Sequence, residues 1–312
     1  MTGASGPPAP TEHRPALEVV EYTDPLCPWA WGSEPVFRRL RAALPQQARW
    51  RRVFAILFDE DDDPPPDPAA ETAWYARYVE DITGHTGAPR AARLSRVAAG
   101  SWPAALVARA AEAQGPEVAE RVLRRLRESV FVRGEPADRV DLALVWTHGV
   151  PGLDPARLAA DAASAGVLAS VRADHAEARR PVPEVFDPPG GSPHPGAAKE
   201  TPDGAHRYAL PTLVVRRGDR RRAVPGRRPF DAYAAAVEDL APGAVTDPGP
   251  LTPAAALERH RSLTGPELAA LTDGSGPPPE AVRVDTGNGP LWLHPDEAAV
   301  HPALVPPPSA RL

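Results

Sequence analysis

A lone cysteine stands between a predicted strand and a predicted helix near the start of the chain. Residues 17–23 carry alternating apolar side chains, as a strand does. Pro28 suits the first turn of a helix, and the apolar residues after it recur at helical spacing. Residues 49–57 predict a second strand. A β-α-β unit is therefore expected, with Cys27 at the junction of the first strand and the helix.

The next part of the chain divides into a helical stretch and a second region of strand character. Apolar residues between positions 71 and 178 recur at helical spacing and predict about five helices, the last of them over 154–180. Residues 187–204 are rich in glycine and proline, which predicts a flexible loop. The segment 212–224 predicts a β-hairpin, and 230–240 predicts a closing amphipathic helix.

Residues 242–312 extend the chain beyond this closing helix. Two helices are expected there, over 253–262 and 265–271. A hairpin that pairs 281–285 with 290–294 is expected as well. These elements predict an appended small domain or a docking arm.

The composition limits where such a chain works and what it binds. With one cysteine in 312 residues no internal disulfide can form, which fits a reducing compartment. The N-terminus has no signal-peptide pattern and no apolar stretch is long enough to cross a bilayer, so we expect a cytoplasmic protein with no membrane partner. A net charge of −6 gives no overall field for nucleic acid, and the arginines of 216–222 are expected at an exposed hairpin tip.

Two short motifs carry a resemblance to a known family. The first is Asp-Pro-Leu-Cys-Pro-Trp-Ala-Trp at 24–31, followed by Gly32, Glu34 and Pro35, and the second is Leu-Pro-Thr-Leu at 210–213. With the order β-α-β, helical insertion, β-β-α, they resemble the DsbA family of thioredoxin-fold thiol oxidoreductases. The resemblance includes its cytoplasmic FrnE-like branch and the related proteolysis-adaptor proteins that carry DPxCxxCWGxEP elements.

The resemblance implies an α/β fold of the thioredoxin-like type, with an all-helical insertion as in DsbA and a C-terminal extension. The chain then has five parts: a disordered N-terminal lead (1–16), the first half of the thioredoxin fold (17–58), the helical insertion (59–186), a loop with the second half of the fold (187–241), and the appended small domain or arm (242–312).

Cys27 is the candidate catalytic residue. At the start of a helix, free backbone N–H groups and the helix dipole stabilise a thiolate, so we expect a lowered pKa for this thiol. Ala30 replaces the second cysteine of the family's dithiol motif. A mixed disulfide on Cys27 would therefore need a thiol from outside the chain to resolve it.

The resemblance places further residues around the thiol. A cis peptide bond before Pro211 is implied, because a cis-proline faces the cysteine in thioredoxin-like proteins and presents backbone to an extended substrate. Asp24 is either a proton acceptor beneath the thiol or a cap of the following turn. The residues expected to bind substrate or thiol are Pro28, Trp29, Ala30, Leu210, Pro211 and Thr212.

Other polar and aromatic residues have simpler interpretations. Trp31 is expected to pack into the helical insertion. His194 and His206 lie in the loop before Pro211 and could approach the thiol, although histidines scattered in loops usually have no role. The acidic run 59–63 matches no calcium-loop spacing, so we expect a solvated loop there and no metal site.

These features favour a thiol-disulfide oxidoreductase-like protein that acts through mixed disulfides on one nucleophilic cysteine. No bound cofactor is expected. A low-molecular-weight thiol, mycothiol- or glutathione-like, would be the co-substrate, and a small thiol or a disulfide-containing molecule would be the substrate. Two alternatives also fit Ala30: an isomerase of the hydroxychromene carboxylate type that binds a thiol cofactor, and a redox-silent adaptor that holds a peptide or protein partner through its groove, insertion or extension.

Overall fold

The computed structural model describes residues 16–59, 66–188 and 190–305. The strands within these residues are β1 (Glu18–Thr23), β2 (Arg49–Phe54), β3 (Lys199–Glu200), β4 (His206–Arg207), β5 (Thr212–Arg217), β6 (Arg220–Pro225), β7 (Ser262–Thr264), β8 (Val282–Val284) and β9 (Leu291–Leu293). The helices are α1 (Pro28–Ala43), α2 (Pro68–Thr86), α3 (Trp102–Ala111), α4 (Pro116–Glu128), α5 (Val140–Trp146), α6 (Pro155–Ala162), α7 (Ala165–Ala178), α8 (Phe230–Leu240), α9 (Pro253–His260), α10 (Gly265–Leu271) and α11 (Pro295–Ala298).

A four-stranded sheet in the order β2-β1-β5-β6 forms the centre of the molecule. Strand β1 runs parallel to β2 and antiparallel to β5, and β6 returns antiparallel to β5. Val19, Val20 and Tyr22 of β1 are all buried, because side chains cover both faces of the sheet. The predicted β-α-β unit, the hairpin and the closing helix over 230–240 are confirmed.

The segment between β2 and the second half of the sheet is helical, as predicted, and contains α2 to α7. The single helix expected over 154–180 is wrong, because the chain forms α6 and α7 instead. The side-chain oxygen of Ser164 accepts a hydrogen bond from the backbone N–H of Val167 at 3.2 Å and starts the second helix. The alanine-rich helical pattern continues across this break, so the break could not be predicted from the sequence.

Helices α1 and α2 approach each other closely at one glycine. A Cβ atom added to Gly32 would lie 2.5 Å from the methyl carbon of Thr86, closer than real Cβ contacts occur. Only glycine therefore fits at this point of α1 without a shift of Thr86. The close approach sets α2 beside the start of α1, where Cys27 lies.

The C-terminal extension forms a three-stranded sheet in the order β7-β9-β8, flanked by α9, α10 and α11. The predicted pairing of β8 with β9 is confirmed, whereas the expected helix over 253–262 ends at His260 and Ser262 begins a strand. Buried ion pairs join the extension to α4. Arg124 donates two hydrogen bonds to Glu267, at 2.8 and 2.9 Å, and His301 lies 2.9 Å from Glu128.

Two expectations fall largely outside the described residues. The N-terminal lead over 1–16 lies there except for its last residue, and so does the acidic run except for Asp59. Asp59 accepts a hydrogen bond from Trp102 at 3.0 Å and pairs with Arg179 at 2.6 Å. The carboxylate of Asp59 is therefore bound to other residues of the protein. None of the helices in the described part of the chain is long and apolar enough to span a bilayer.

Candidate functional site

Cys27 occupies the position immediately before α1 and is nearly inaccessible. Its backbone is extended, with φ −82° and ψ 119°, and Pro28 begins the helix. The side chain is 3% exposed. The thiol donates a long hydrogen bond to the carbonyl oxygen of Leu210, 3.7 Å away across the site. The sequence therefore placed the cysteine correctly at the strand-to-helix junction, but the structure buries it.

The expected lowering of the Cys27 pKa is wrong in this structure. Burial, together with the negative charge of Asp24, raises the pKa of the thiol to about 11. Hydrogen bonds from the backbone N–H groups of Ala30 and Trp29 oppose this rise without cancelling it. Removing the thiol from water penalises the charged form more than the helix start stabilises it. The resting thiol is therefore protonated at neutral pH.

Asp24 is fully buried next to the thiol and caps backbone. One carboxylate oxygen accepts from the N–H of Leu26 at 2.7 Å, and the other accepts from the N–H of Leu57 at 2.8 Å. Burial raises the pKa of Asp24 despite these hydrogen bonds. The carboxylate thus joins the end of the second strand region to the turn before α1.

The backbone opposite Cys27 comes from the segment before β5. The peptide bond between Leu210 and Pro211 is cis. The Thr212 hydroxyl donates to the carbonyl oxygen of Ala209 at 2.6 Å and is buried. This hydrogen bond helps to fix the turn that presents the Leu210 carbonyl to the thiol.

A cavity of about 220 Å³ opens beside the thiol and is lined mainly by apolar and aromatic side chains. Of the residues predicted to bind substrate, Pro28, Trp29 and Leu210 line it. The other three, Ala30, Pro211 and Thr212, are buried and are not part of its wall. The residues lining the cavity are Cys27, Pro28, Trp29, Leu57, Phe58, Glu71, Trp74, Tyr75, Tyr78, Val97, His194, Lys199, Arg207, Ala209 and Leu210.

His194 belongs to the site, although loop histidines were expected to have no role. It is 4% exposed, and its Nε2 lies 3.0 Å from the Leu210 carbonyl oxygen. Its Nδ1 accepts from the backbone N–H of Gly196 at 2.9 Å, so the neutral ring carries its proton on Nε2. Burial lowers the pKa of His194 to about 4, and its ring meets Trp29 edge-on at 4.9 Å.

Sequence reasoning did not find the three aromatic residues that α2 contributes. Trp74, Tyr75 and Tyr78 all line the cavity. The indole of Trp29 donates a hydrogen bond to the Tyr78 hydroxyl at 3.3 Å, which joins α1 to α2. The spacing of these aromatic residues within one helical turn is visible in the sequence. Their position beside Cys27 could not be predicted, because they are far from it along the chain.

The expectation that Trp31 packs into the helical insertion is confirmed. Its indole donates to the Pro89 carbonyl oxygen at 2.8 Å, and its ring stacks on Phe131 at 5.9 Å. The guanidinium of Arg124 lies over the Trp31 ring, 4.4 Å from its centroid. Trp31 therefore stabilises the junction of α1 with the insertion and takes no part in the cavity.

The sheet order, the helical insertion and Cys27 at the N-cap of α1 define a protein of the thioredoxin-like fold class with a helical insertion. A family model described as Thioredoxin matches residues 21–180, so the chain belongs to the thioredoxin family. A solved structure from Nitrosomonas europaea, titled "putative protein disulfide isomerase", is similar with a TM-score of 0.55. It is 16% identical, and the match covers 72% of this chain and 97% of that one, which is a likeness of fold.

Two curated relatives carry the name ClpXP adapter protein SpxH. The relative from Halalkalibacterium halodurans is 28% identical over 165 residues, which cover 52% of this chain and 54% of that protein. The relative from Shouchella clausii is 24% identical over 263 residues, which cover 82% of this chain and 78% of that protein. The first match thus spans about half of the length of that relative.

Proposed function

We propose that this protein is a thioredoxin-fold adaptor that holds a segment of a protein partner in the cavity beside Cys27, without a dithiol redox cycle. The observation that carries the proposal is the state of the thiol. Cys27 lines a cavity that contains five aromatic side chains, the pKa of its thiol is raised to about 11, and Ala30 stands where a resolving cysteine would be needed.

A protonated thiol makes a poor nucleophile. The thiolate is the reactive form, and a pKa of about 11 leaves roughly one molecule in ten thousand ionised at neutral pH. A neutral, buried thiol behaves as a small apolar side chain. In the proposed function Cys27 therefore contributes contact surface to the cavity.

The relatives support a protein partner. Both carry the name of an adapter protein, and the longer match covers 82% of this chain. The size of the cavity agrees with this proposal, because about 220 Å³ is below the roughly 300–1,000 Å³ of typical small-molecule pockets. Such a cavity accommodates one side chain of a longer segment, and the partner would make its remaining contacts on the surface around it.

The proposal is tested by partner capture from the native cell with tagged full-length variants. Replacement of the exposed aromatics, Trp74→Ala with Tyr78→Ala, should abolish capture of a partner, whereas Cys27→Ser should retain most of it. Val140→Ala, a change at an exposed apolar residue on α5, is the matched control. Loss of capture in Cys27→Ser, with release of the wild-type complex by reductant, would contradict the adaptor and indicate a mixed disulfide.

A second candidate function, monothiol exchange, is favoured by one feature. The backbone N–H groups of Trp29 and Ala30 bond the Cys27 sulfur at the start of α1, which lowers the cost of a thiolate. The thiolate would attack one sulfur of a small disulfide, form a mixed disulfide and release the other sulfur as a thiol. A mycothiol- or glutathione-like thiol would then attack the mixed disulfide, leave with the bound sulfur as a new disulfide and release Cys27 as a thiol. Mass spectrometry of the native protein would reveal this adduct.

A further inference from the structure

Two aromatic side chains on α2 stand exposed at the cavity. The rings of Trp74 and Tyr78 are parallel, 2° apart in plane, with centroids 5.6 Å from each other. Trp74 is 56% exposed and Tyr78 is 39% exposed. Large exposed aromatics grouped at a cavity mark an interaction surface, because leaving them in water is unfavourable. A flat ring in the partner segment would extend this stack.

A third aromatic residue, Tyr75, carries a hydroxyl that lacks a partner. Its side chain lines the cavity, is 6% exposed, and makes no hydrogen bond through its hydroxyl to any residue the structure describes. Burial raises the pKa of Tyr75 well above its usual value, and Tyr75 and Cys27 line the same cavity. A buried hydroxyl without a partner costs free energy that a bound acceptor would recover.

Among the lining residues that the structure describes, cations outnumber carboxylates. Lys199 and Arg207, from β3 and β4, line one side, and Glu71 of α2 is the carboxylate among the lining residues. The charge of Lys199 contributes to the lowered pKa of His194, and the charge of Arg207 opposes the rise in the pKa of Tyr78. Both cations therefore act on the interior of the cavity, which favours an anionic group near its mouth.

We propose that the partner segment carries an aromatic side chain flanked by acidic residues. The aromatic ring enters the cavity against Trp29 and the stacked pair of Trp74 and Tyr78. The Tyr75 hydroxyl donates a hydrogen bond to a backbone carbonyl of the segment. Lys199 forms an ion pair with an acidic residue beside the aromatic one. This inference rests on the proposed function, since it names the kind of segment that the adaptor recognises.

The test uses fluorescently labelled peptides and the full-length chain, with binding followed by fluorescence anisotropy. Gly-Asp-Phe-Asp-Gly should bind about two- to twelvefold more tightly than Gly-Asp-Leu-Asp-Gly, the range expected for aromatic pairing. It should also bind about fivefold more tightly than Gly-Lys-Phe-Lys-Gly, as for one exposed ion pair. Tyr75→Phe should weaken binding of the preferred peptide about two- to twelvefold, the value of one hydrogen bond.

Controls separate this inference from the proposed function. Lys199→Ala should remove the preference for acidic flanks and leave the preference for phenylalanine, while Val140→Ala should change neither. Thermal unfolding of each variant shows that it is folded. If all peptides bind equally, and Trp74→Ala is the only variant that weakens their binding, the aromatic-acidic specificity is wrong. The proposal that the protein is an adaptor would still hold. Absence of binding by every peptide, together with partner capture that survives Trp74→Ala with Tyr78→Ala, would overturn both.

Discussion

The Nε2 of His194 lies 3.0 Å from the carbonyl oxygen of Leu210, the same oxygen that the Cys27 thiol approaches at 3.7 Å. A histidine of the loop before β3 thus takes up the carbonyl oxygen of Leu210, a hydrogen-bond acceptor that faces the thiol. Two donors on one carbonyl tie the loop, the cysteine and the segment before β5 together. The site is held closed by its own chain, which explains why the thiol is buried beside a cavity and not exposed in an open groove.

The burial of His194 should give the protein a stability that depends on pH, because burial lowers the pKa of the imidazole more than the hydrogen bond to Leu210 raises it. The pKa of His194 is about 4 in the folded state and near 6.5 when unfolded, so the unfolded chain binds more protons between these values. Stability should therefore fall as the pH drops from about 6.5 to about 4, by roughly 3 kcal/mol at most from this group. Urea unfolding of wild type and His194→Gln across this range measures the difference. Parallel stability curves for the two proteins would contradict the assignment.

Gly226 provides the space that His194 needs. Its φ is +73°, and an added Cβ would lie 2.5 Å from His194 Nδ1. Gly226→Ala should destabilise the fold by about 1–2 kcal/mol from the left-handed backbone alone, and it should displace the imidazole. Gly190→Ala, at a glycine with open space and no positive φ, is the matched control. Thermal unfolding and histidine NMR report both effects; an unshifted His194 resonance in Gly226→Ala would contradict the packing.

The elements around Cys27 could be predicted because local patterns determine them. The alternation of β1, the proline that begins α1 and the Leu-Pro before β5 are all visible within a few residues. The state of the thiol could not be predicted, because it depends on distant residues. His194 and Tyr75 line the cavity beside Cys27 from separate parts of the chain, and the burial of Cys27 itself outweighs the effect of the helix start on the thiol pKa.

The C-terminal extension illustrates the same limit on a larger scale. The helices α9 and α10 and the pairing of β8 with β9 follow from periodicity, but the place of the extension in the fold depends on buried charges. Arginine in α4 is typical of an exposed helix face, yet Arg124 is 5% exposed because Glu267 and Glu128 lie against it. A single sequence does not show which carboxylates form ion pairs with which arginines. It therefore could not be predicted whether the extension is a loosely attached arm or packs firmly against the rest of the fold.

The extension should therefore be needed for stability. Glu267 is fully buried and accepts two hydrogen bonds from Arg124, so Glu267→Gln leaves an incompletely paired buried cation. We expect a loss of about 3 kcal/mol in urea unfolding. Glu258→Gln, at a carboxylate that is 68% exposed, should change stability by less than about 0.5 kcal/mol. Equal effects of the two changes would show that the extension is a loosely attached arm.

Restoring a second thiol should restore disulfide chemistry. Ala30 lies one helical turn after Cys27, and its backbone N–H reaches the Cys27 sulfur. Ala30→Cys should form an internal disulfide under mild oxidant, seen as the loss of two hydrogens in the intact mass, and Ala30→Ser should not. A variant that remains fully reduced would show that the geometry of the site differs from that of a dithiol centre.

The most direct test of the account is the pH dependence of Cys27 alkylation by iodoacetamide. The chain has one cysteine, so the rate reports this thiol alone. We expect a midpoint near 11 in the folded protein, against about 8.5 for the same cysteine in the unfolded chain. A folded-state midpoint below neutral pH would show an activated thiolate, contradict the redox-silent adaptor and establish monothiol chemistry in its place.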